Sequence, residues 1–317
     1  MNPLPAGWLR PLGRTGLTVS ALCAGGGPLG SMPQNFGYEV PAQRGIDTVI
    51  EVLRSPIRFL DTSNNYSGGE SERRIGTAIA GLGGLPGDFV LATKVDRDSR
   101  GDFSSVRIRR SIEESLLRLG VEQVPLLYLH DPEHISFEAA MAPGGPVAEM
   151  QRIRDDGLAL HLGVAGGPVG LLSRLVDTGV FEALITHNRY TLVDRSAERL
   201  IEAAAAAGVA VVNAAVYGGG ILARGAAGSD RYAYRPAPAA IRHAVAVMEK
   251  TCARYGVPLA VAALRFSLRD PRITSTIIGI SRPERVAECL RYVSSEVPDE
   301  LWPELDRHVP KPEYWLN

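Results

Sequence analysis

The chain has 317 residues, 45% of them hydrophobic and 22% charged, with a formal net charge of -1. Such a balance describes an ordinary globular protein and provides no basic field to hold nucleic acid. No stretch approaches the roughly 18 uninterrupted apolar residues of a membrane span, and Cys23, Cys252 and Cys289 are too scattered for a CxxC pair or a disulfide frame.

Short apolar runs alternate with amphipathic stretches from end to end. WLRPLGRTGLTVS offers two extended pieces around Arg14-Thr15-Gly16, which predicts a hairpin. The first candidate strand, VSALCAG (19–25), runs into AGGGPLG (24–30) and then a helical pattern over 41–54. RFLDTS (58–63) precedes a helix over 71–82 with Ser71 as its expected cap, and FVLATKV (89–95) precedes a helix over 104–119 that Gly120 ends. PLLYLH (125–130) leads through an irregular 131–146 to a helix over 146–156, with Gly157 beyond it. LHLGVAG (160–166) pairs with a helix over 167–178, and ALITHN (183–188) with one over 195–207 followed by Gly208. VAVVNAA (209–215), an irregular 217–238, a helix over 239–255, TSTIIGIS (274–281) and an irregular 296–317 complete the chain.

The strands are nearly continuous in Val, Ile and Leu, as strands buried on both faces are. Eight of them separated by helices predict a parallel sheet, and eight is the number that closes a (β/α)8 barrel. An open doubly wound sheet would need GxGxxG between the first strand and first helix. AGGGPLG has the glycines without that spacing. The expectation is one α/β barrel domain over 1–317, a TIM barrel with the N-terminal hairpin plugging its floor.

Asp61, Tyr66, Lys94 and His130 fall at or just past the C-terminal ends of the second, third and fourth strands. Alone, each has an ordinary structural explanation. Together they change the reading, because the strand ends of one barrel converge on a single mouth. A carbonyl that accepts hydride needs a proton, which Tyr66 can supply as general acid. Lys94 beside it would lower the phenol pKa, Asp61 would hold Lys94 charged, and His130 would orient the carbonyl. A strand-end lysine also suits a Schiff-base aldolase, but pairing with Asp61 raises the lysine pKa and works against that chemistry.

The run FLDTSNNYSGGESERRIG (59–76), with ATKV and YLHDP where a lysine and a histidine are expected, resembles the aldo-keto reductase family. The likeness extends from LGRTGLTVSALCAGG to IIGISRPERVAECL. LHDPE and VVNAAVYGGGIL resemble the branch of L-galactose, L-fucose and D-threo-aldose 1-dehydrogenases and pyridoxal 4-dehydrogenase. The resemblance implies that Asp61, Tyr66, Lys94 and His130 are catalytic and that NAD or NADP lies across the mouth. It places Asn188 on the nicotinamide carboxamide and Ala214 where an aromatic ring often stacks. Gly26, Gly27, Gly218 and Gly220 leave room for backbone around the cofactor, while Gly279, Ser281, Arg285 and Glu288 match the adenosine end. GVAGG (163–167) lacks the Ser-Asn pair of many members, and Arg285 suits either a 2′-phosphate or an adenine, which leaves NAD and NADP both open.

The expected activity is oxidation of an aldose at its anomeric carbon to a lactone. Reduction of small aldehydes or ketones with NADPH is the alternative within the class, and a non-catalytic NAD(P)-binding sensor subunit the alternative outside it. The partner is a small molecule, with no nucleic acid and no membrane, and the chain acts as monomer or homo-oligomer. HDPEH (130–134) lacks a third ligand, so no metal is expected. Tyr217, Tyr232 and Tyr234 could line a sugar pocket, and Trp302, Tyr314 and Trp315 could cover the mouth or pack on the barrel side. MNPLPAGWLRPLG shows no basic region followed by an apolar run, so the expected location is cytoplasmic.

Overall fold

The computed structural model describes residues 4–316. Two short antiparallel strands come first, β1 (Leu9–Pro11) and β2 (Thr18–Ser20). Eight parallel strands then close into a barrel. They begin with β3 (Leu22–Gly25), β4 (Phe59–Asp61), β5 (Val90–Val95) and β6 (Val124–His130). The series continues with β7 (Ala159–Gly166), β8 (Ala183–His187) and β9 (Ala210–Ala214). A small hairpin of β10 (Arg231–Tyr232) and β11 (Arg235–Pro236) intervenes before β12 (Ile273–Gly279), which pairs with both β9 and β3. The predicted (β/α)8 barrel is present.

Alternation along each strand separates two cores. Leu126 and Tyr128 of β6 point into the barrel with Phe59, Val90, Ile185 and Val212, while Leu127 and Leu129 face the helix layer. The large Tyr128 fits inside only because its neighbour on β7 is Gly163, where a Cβ would overlap the tyrosine ring. Below, the hairpin closes the floor. Leu12 and Val19 join the interior core, the Arg14 N–H donates to Gly208 O at 3.1 Å, and Arg10 donates to Ile273 O at 2.6 Å.

The seven predicted helices appear at 42–54, 70–81, 105–119, 146–155, 169–177, 198–206 and 239–254. Their ends follow local chemistry. Ser104 caps one by accepting from the Arg107 N–H, and Gly120 ends it at φ 69°. Three expectations need correction. The run 19–25 is two strands, since Val19 and Ser20 belong to the floor hairpin. Ser71 is no cap: Gly69, at φ 88°, precedes the helix, and the Ser71 hydroxyl donates to Gly26 O at 2.8 Å, tying β3 to the helix start. A further helix before β12, Leu259–Leu268, has nine of its ten residues buried, so it carries no clear amphipathic period to be read.

Candidate active site

All eight strands end on one cavity of about 460 Å³. Gly25, Asp61, His130, Gly166, His187, Ala214 and Gly279 are last residues of their strands and line it, and Lys94 does so from the penultimate position of β5. The chain after β4 carries Tyr66 back over this opening. Thr62 N–H donates to Ala92 O at 2.9 Å and Asn64 N–H to Lys94 O at 3.2 Å, so the ladder continues past the strand. Asn64 is buried and locked by Arg107, whose guanidinium donates to Asn64 Oδ1 at 2.8 Å. Tyr66 N–H then turns back to Ser63 O at 3.2 Å.

The four predicted residues meet. Lys94 Nζ donates to Asp61 Oδ2 at 2.6 Å, to Thr62 O at 2.7 Å and to Tyr66 Oη at 3.3 Å. The Tyr66 and His130 rings stand edge-on with centroids 5.8 Å apart. Burial disfavours the Lys94 ammonium, but Asp61 and then Tyr66 outweigh it and hold the lysine above its ordinary value. A nucleophilic amine is thereby opposed. Burial pushes Asp61 up, with Lys94 holding it back. The Tyr66 phenol is also pushed up, by burial first, and Lys94 pulls it down without prevailing. The expected lowering is thus a partial offset in the free protein. Tyr66 is only half-buried and borders the cavity, so water moderates the upward push.

Two further residues organise His130. Its Nδ1 lies 2.6 Å from Asp96 Oδ1, and Ser63 Oγ donates to the other oxygen of the same carboxylate. Burial raises the Asp96 pKa, but His130 dominates and the carboxyl sits below its ordinary value. For His130, burial again acts against the charged form and is outweighed by Asp96 and Asp131, giving an upward shift. With Asp96 ionised, Nδ1 carries the proton and Nε2 is left free of that bond. The signal for Asp96 was its place two residues after Lys94, on the same side of an extended chain.

The residues expected to hold a cofactor divide. Gly27, Ala214 and Gly279 line the cavity. Gly26 stands behind its wall, donating its N–H to Asp61 O at 2.7 Å, and a Cβ there would lie 3.0 Å from that oxygen. Asn188 lies past the end of β8 in a left-handed conformation, φ 60°, buried and off the cavity wall. β8 presents Ile185 and, at its end, His187 to the cavity. Burial, more than its cationic neighbours, pushes that imidazole down to about 4. Gly218 and Gly220 also take positive φ and lie outside the wall, with Gly218 under the Tyr232 ring. Ser281, Arg285 and Glu288 follow β12. Arg285 pairs with Glu288 at 2.8 Å and stands over Tyr217, its guanidinium 5.7 Å from the ring centroid.

Among the aromatics, Tyr217 and Tyr234 line the cavity, whereas Tyr232 is buried and donates to Asn188 O at 2.7 Å. Trp302 is buried beneath Arg269 in the helix layer, and neither Tyr314 nor Trp315 lines the cavity. No helix among the described residues is long and apolar enough to cross a membrane.

Residues 21–310 match the aldo/keto reductase family. The chain belongs to that family. It is 31% identical to the L-galactose dehydrogenase of Arabidopsis thaliana over 90% of this chain and 88% of that protein. It is 32% identical to the D-threo-aldose 1-dehydrogenase of a Pseudomonas species, over 81% and 85% of the two chains. The holo structure of the aldo-keto reductase AKR11C1 from Bacillus halodurans superposes with a TM-score of 0.77 at 21% identity, covering 96% of each chain. The aldo/keto reductase described here is therefore an NAD(P)-dependent oxidoreductase. Its cavity fits such a cofactor. Ala165, Gly166 and Ala214 leave a wall poor in side chains, and a Cβ at Gly27 would lie 3.4 Å from Phe36 and 3.9 Å from the Tyr66 ring.

Proposed function

We propose that this aldo/keto reductase oxidises the anomeric hydroxyl of an aldose to a lactone, with Tyr66, Lys94, Asp61 and His130 as its catalytic residues. The observation that carries this reading is the mixed lining of the cavity around Tyr66. Asn35, Asn65, Arg97, Asp131 and His134 offer donors and acceptors, while Phe36 and Tyr234 offer aromatic faces. A sugar presents hydroxyls at its edge and C–H groups on its ring faces, so both kinds of surface are used. The likeness to L-galactose dehydrogenase and D-threo-aldose 1-dehydrogenase supports the same substrate class.

A bound nicotinamide would supply the hydride acceptor for this oxidation, and the chain's own residues handle the proton. Tyr66 Oη takes the hydroxyl proton as the C–O bond becomes a carbonyl. Lys94 stabilises the phenolate through the 3.3 Å contact, and Asp61 keeps the ammonium charged and aimed. His130, fixed through Nδ1 by Asp96, directs Nε2 to the reacting oxygen. Gly27, Ala214 and Gly279 would hold the cofactor by leaving it space, with Arg285 and Tyr217 at its far end. His187 takes the wall position first expected of Asn188. The buried, unpaired state of all three cysteines supports a cytoplasmic setting.

Initial rates of NADH or NADPH formation with L-galactose, L-fucose and D-arabinose test the reading, with Tyr66→Phe as control. Turnover that vanishes in the variant is expected. Silence on all three sugars, with either cofactor, overturns the aldose assignment.

A further inference from the structure

We infer that the Asp131 carboxylate recognises the hydroxyl on the carbon next to the reacting one, so that the site selects neutral α-hydroxy carbonyl compounds and their hemiacetals. The inference rests on the proposed reaction only for the position of the reacting oxygen, between Tyr66 and His130.

Asp131 is the first residue beyond β6. Its N–H donates to Ala165 O at 2.8 Å, prolonging the ladder to β7, and its backbone then turns left-handed at φ 45°, ψ 57°. The carboxylate lines the cavity, is 38% exposed, and makes no hydrogen bond to the described residues. An aspartate serving only the turn would accept from backbone two residues on or be replaceable by glycine. This one does neither job with its oxygens. They are left for something in the cavity.

The distance to His130 says what that is. Asp131 Oδ1 lies 3.8 Å from His130 Nε2, too far for a direct bond. A substrate oxygen held by Nε2 at about 2.9 Å has its vicinal hydroxyl oxygen roughly one hydrogen-bond length further on, within reach of Asp131. A carbonyl oxygen held by Nε2 has no proton to give the carboxylate, whereas the neighbouring hydroxyl has one, so a hydroxy-carbonyl can engage both side chains. The hydroxyl donates and the carboxylate accepts, a charge-assisted bond. A carboxylate or phosphate at that carbon would meet like charge. Arg97, held by His134 at 3.1 Å, extends the polar rim beyond this point.

The structural alternative is that Asp131 acts only through the charge of His130. That role would affect every carbonyl substrate alike. Reduction of glyceraldehyde and propionaldehyde by wild type, Asp131→Asn and Asp131→Ala separates the two. We expect wild type to favour glyceraldehyde in kcat/KM, and Asp131→Ala to cut that preference by on the order of tenfold or more. Asp131→Asn, which keeps an acceptor oxygen and tolerates the left-handed backbone, should fall between them. Equal losses on both aldehydes, no wild-type preference, or inactivity on both overturn the inference. Aldose oxidation is scored separately. A wild type that prefers glyceraldehyde but oxidises no sugar would remove the proposed function and leave this subsite standing.

Discussion

Lys94 Nζ stands 2.6 Å from Asp61 Oδ2, with side chains only 2% and 4% exposed, so two opposite charges are enclosed with each other as principal counter-ion. The second carboxylate oxygen, Oδ1, has no hydrogen-bond partner among the described residues. Removing either charge alone strands the other in a poorly solvated place.

Asp61→Asn should therefore destabilise the fold by about 3–5 kcal/mol as well as abolish turnover. Denaturant midpoints check the first and single-turnover rates the second. The double variant Asp61→Asn with Lys94→Met should recover stability without recovering activity. A double variant as unstable as the single one would mean that backbone distortion, and not an unpaired charge, is responsible.

The His130–Asp96 pair gives stability a pH signature. His130 is raised in the folded protein, so its contribution is fully present below the unfolded value of about 6.5 and is lost as pH rises through the folded value. Asp96 is lowered, so its own contribution is present above the ordinary carboxylate value and is lost as pH falls through the folded one. Asp96→Asn should cost most in melting temperature near pH 5.5 and least near pH 9. The same substitution should move the activity limb that belongs to His130 toward lower pH.

Gly163 makes room for the Tyr128 ring in the barrel interior. Gly163→Ala should cost about 1–3 kcal/mol by overpacking. Adding Tyr128→Leu should return much of it, and a thermal melt of the three variants reads the cycle directly.

Arg285 is braced by Glu288 over Tyr217, at the edge of the cavity. Arg285→Ala should weaken cofactor binding roughly tenfold, the worth of one charge-assisted hydrogen bond. Quenching of protein fluorescence by NADH and NADPH measures it. A loss confined to NADPH would place the guanidinium on a 2′-phosphate, and an equal loss on both would place it on the shared adenosine.

What could be read in the sequence followed from periodicity. β4 and β6 are short, mainly apolar runs that end in Asp61 and His130, and β5 carries Lys94 one residue before its end, so both the strands and the meeting of Asp61, Lys94 and His130 were legible. Leu259–Leu268 was not, because a helix buried everywhere but at Arg265 has no polar face to mark its turn. Nor was the exchange of Asn188 for His187 at the cavity. Alternation along β8 puts Ile185 and His187 on the cavity, and Asn188, just past the strand in a left-handed conformation, falls off that face. Ser71 carried a helix-start residue type, but it sits inside the first turn, where its hydroxyl is drawn to the Gly26 carbonyl by tertiary packing.

The closure of the ring by β12 against β3 has a bearing on how the protein is made. Residues 22–25 leave the ribosome early, yet their partner strand ends at residue 279. Without β12 the ring would be open at β3 and β9, each edge with a row of unpaired backbone groups able to join strands of another chain. Substitutions that slow the docking of residues 259–279 should lower soluble yield at the stage of synthesis, while leaving the finished enzyme as durable as before.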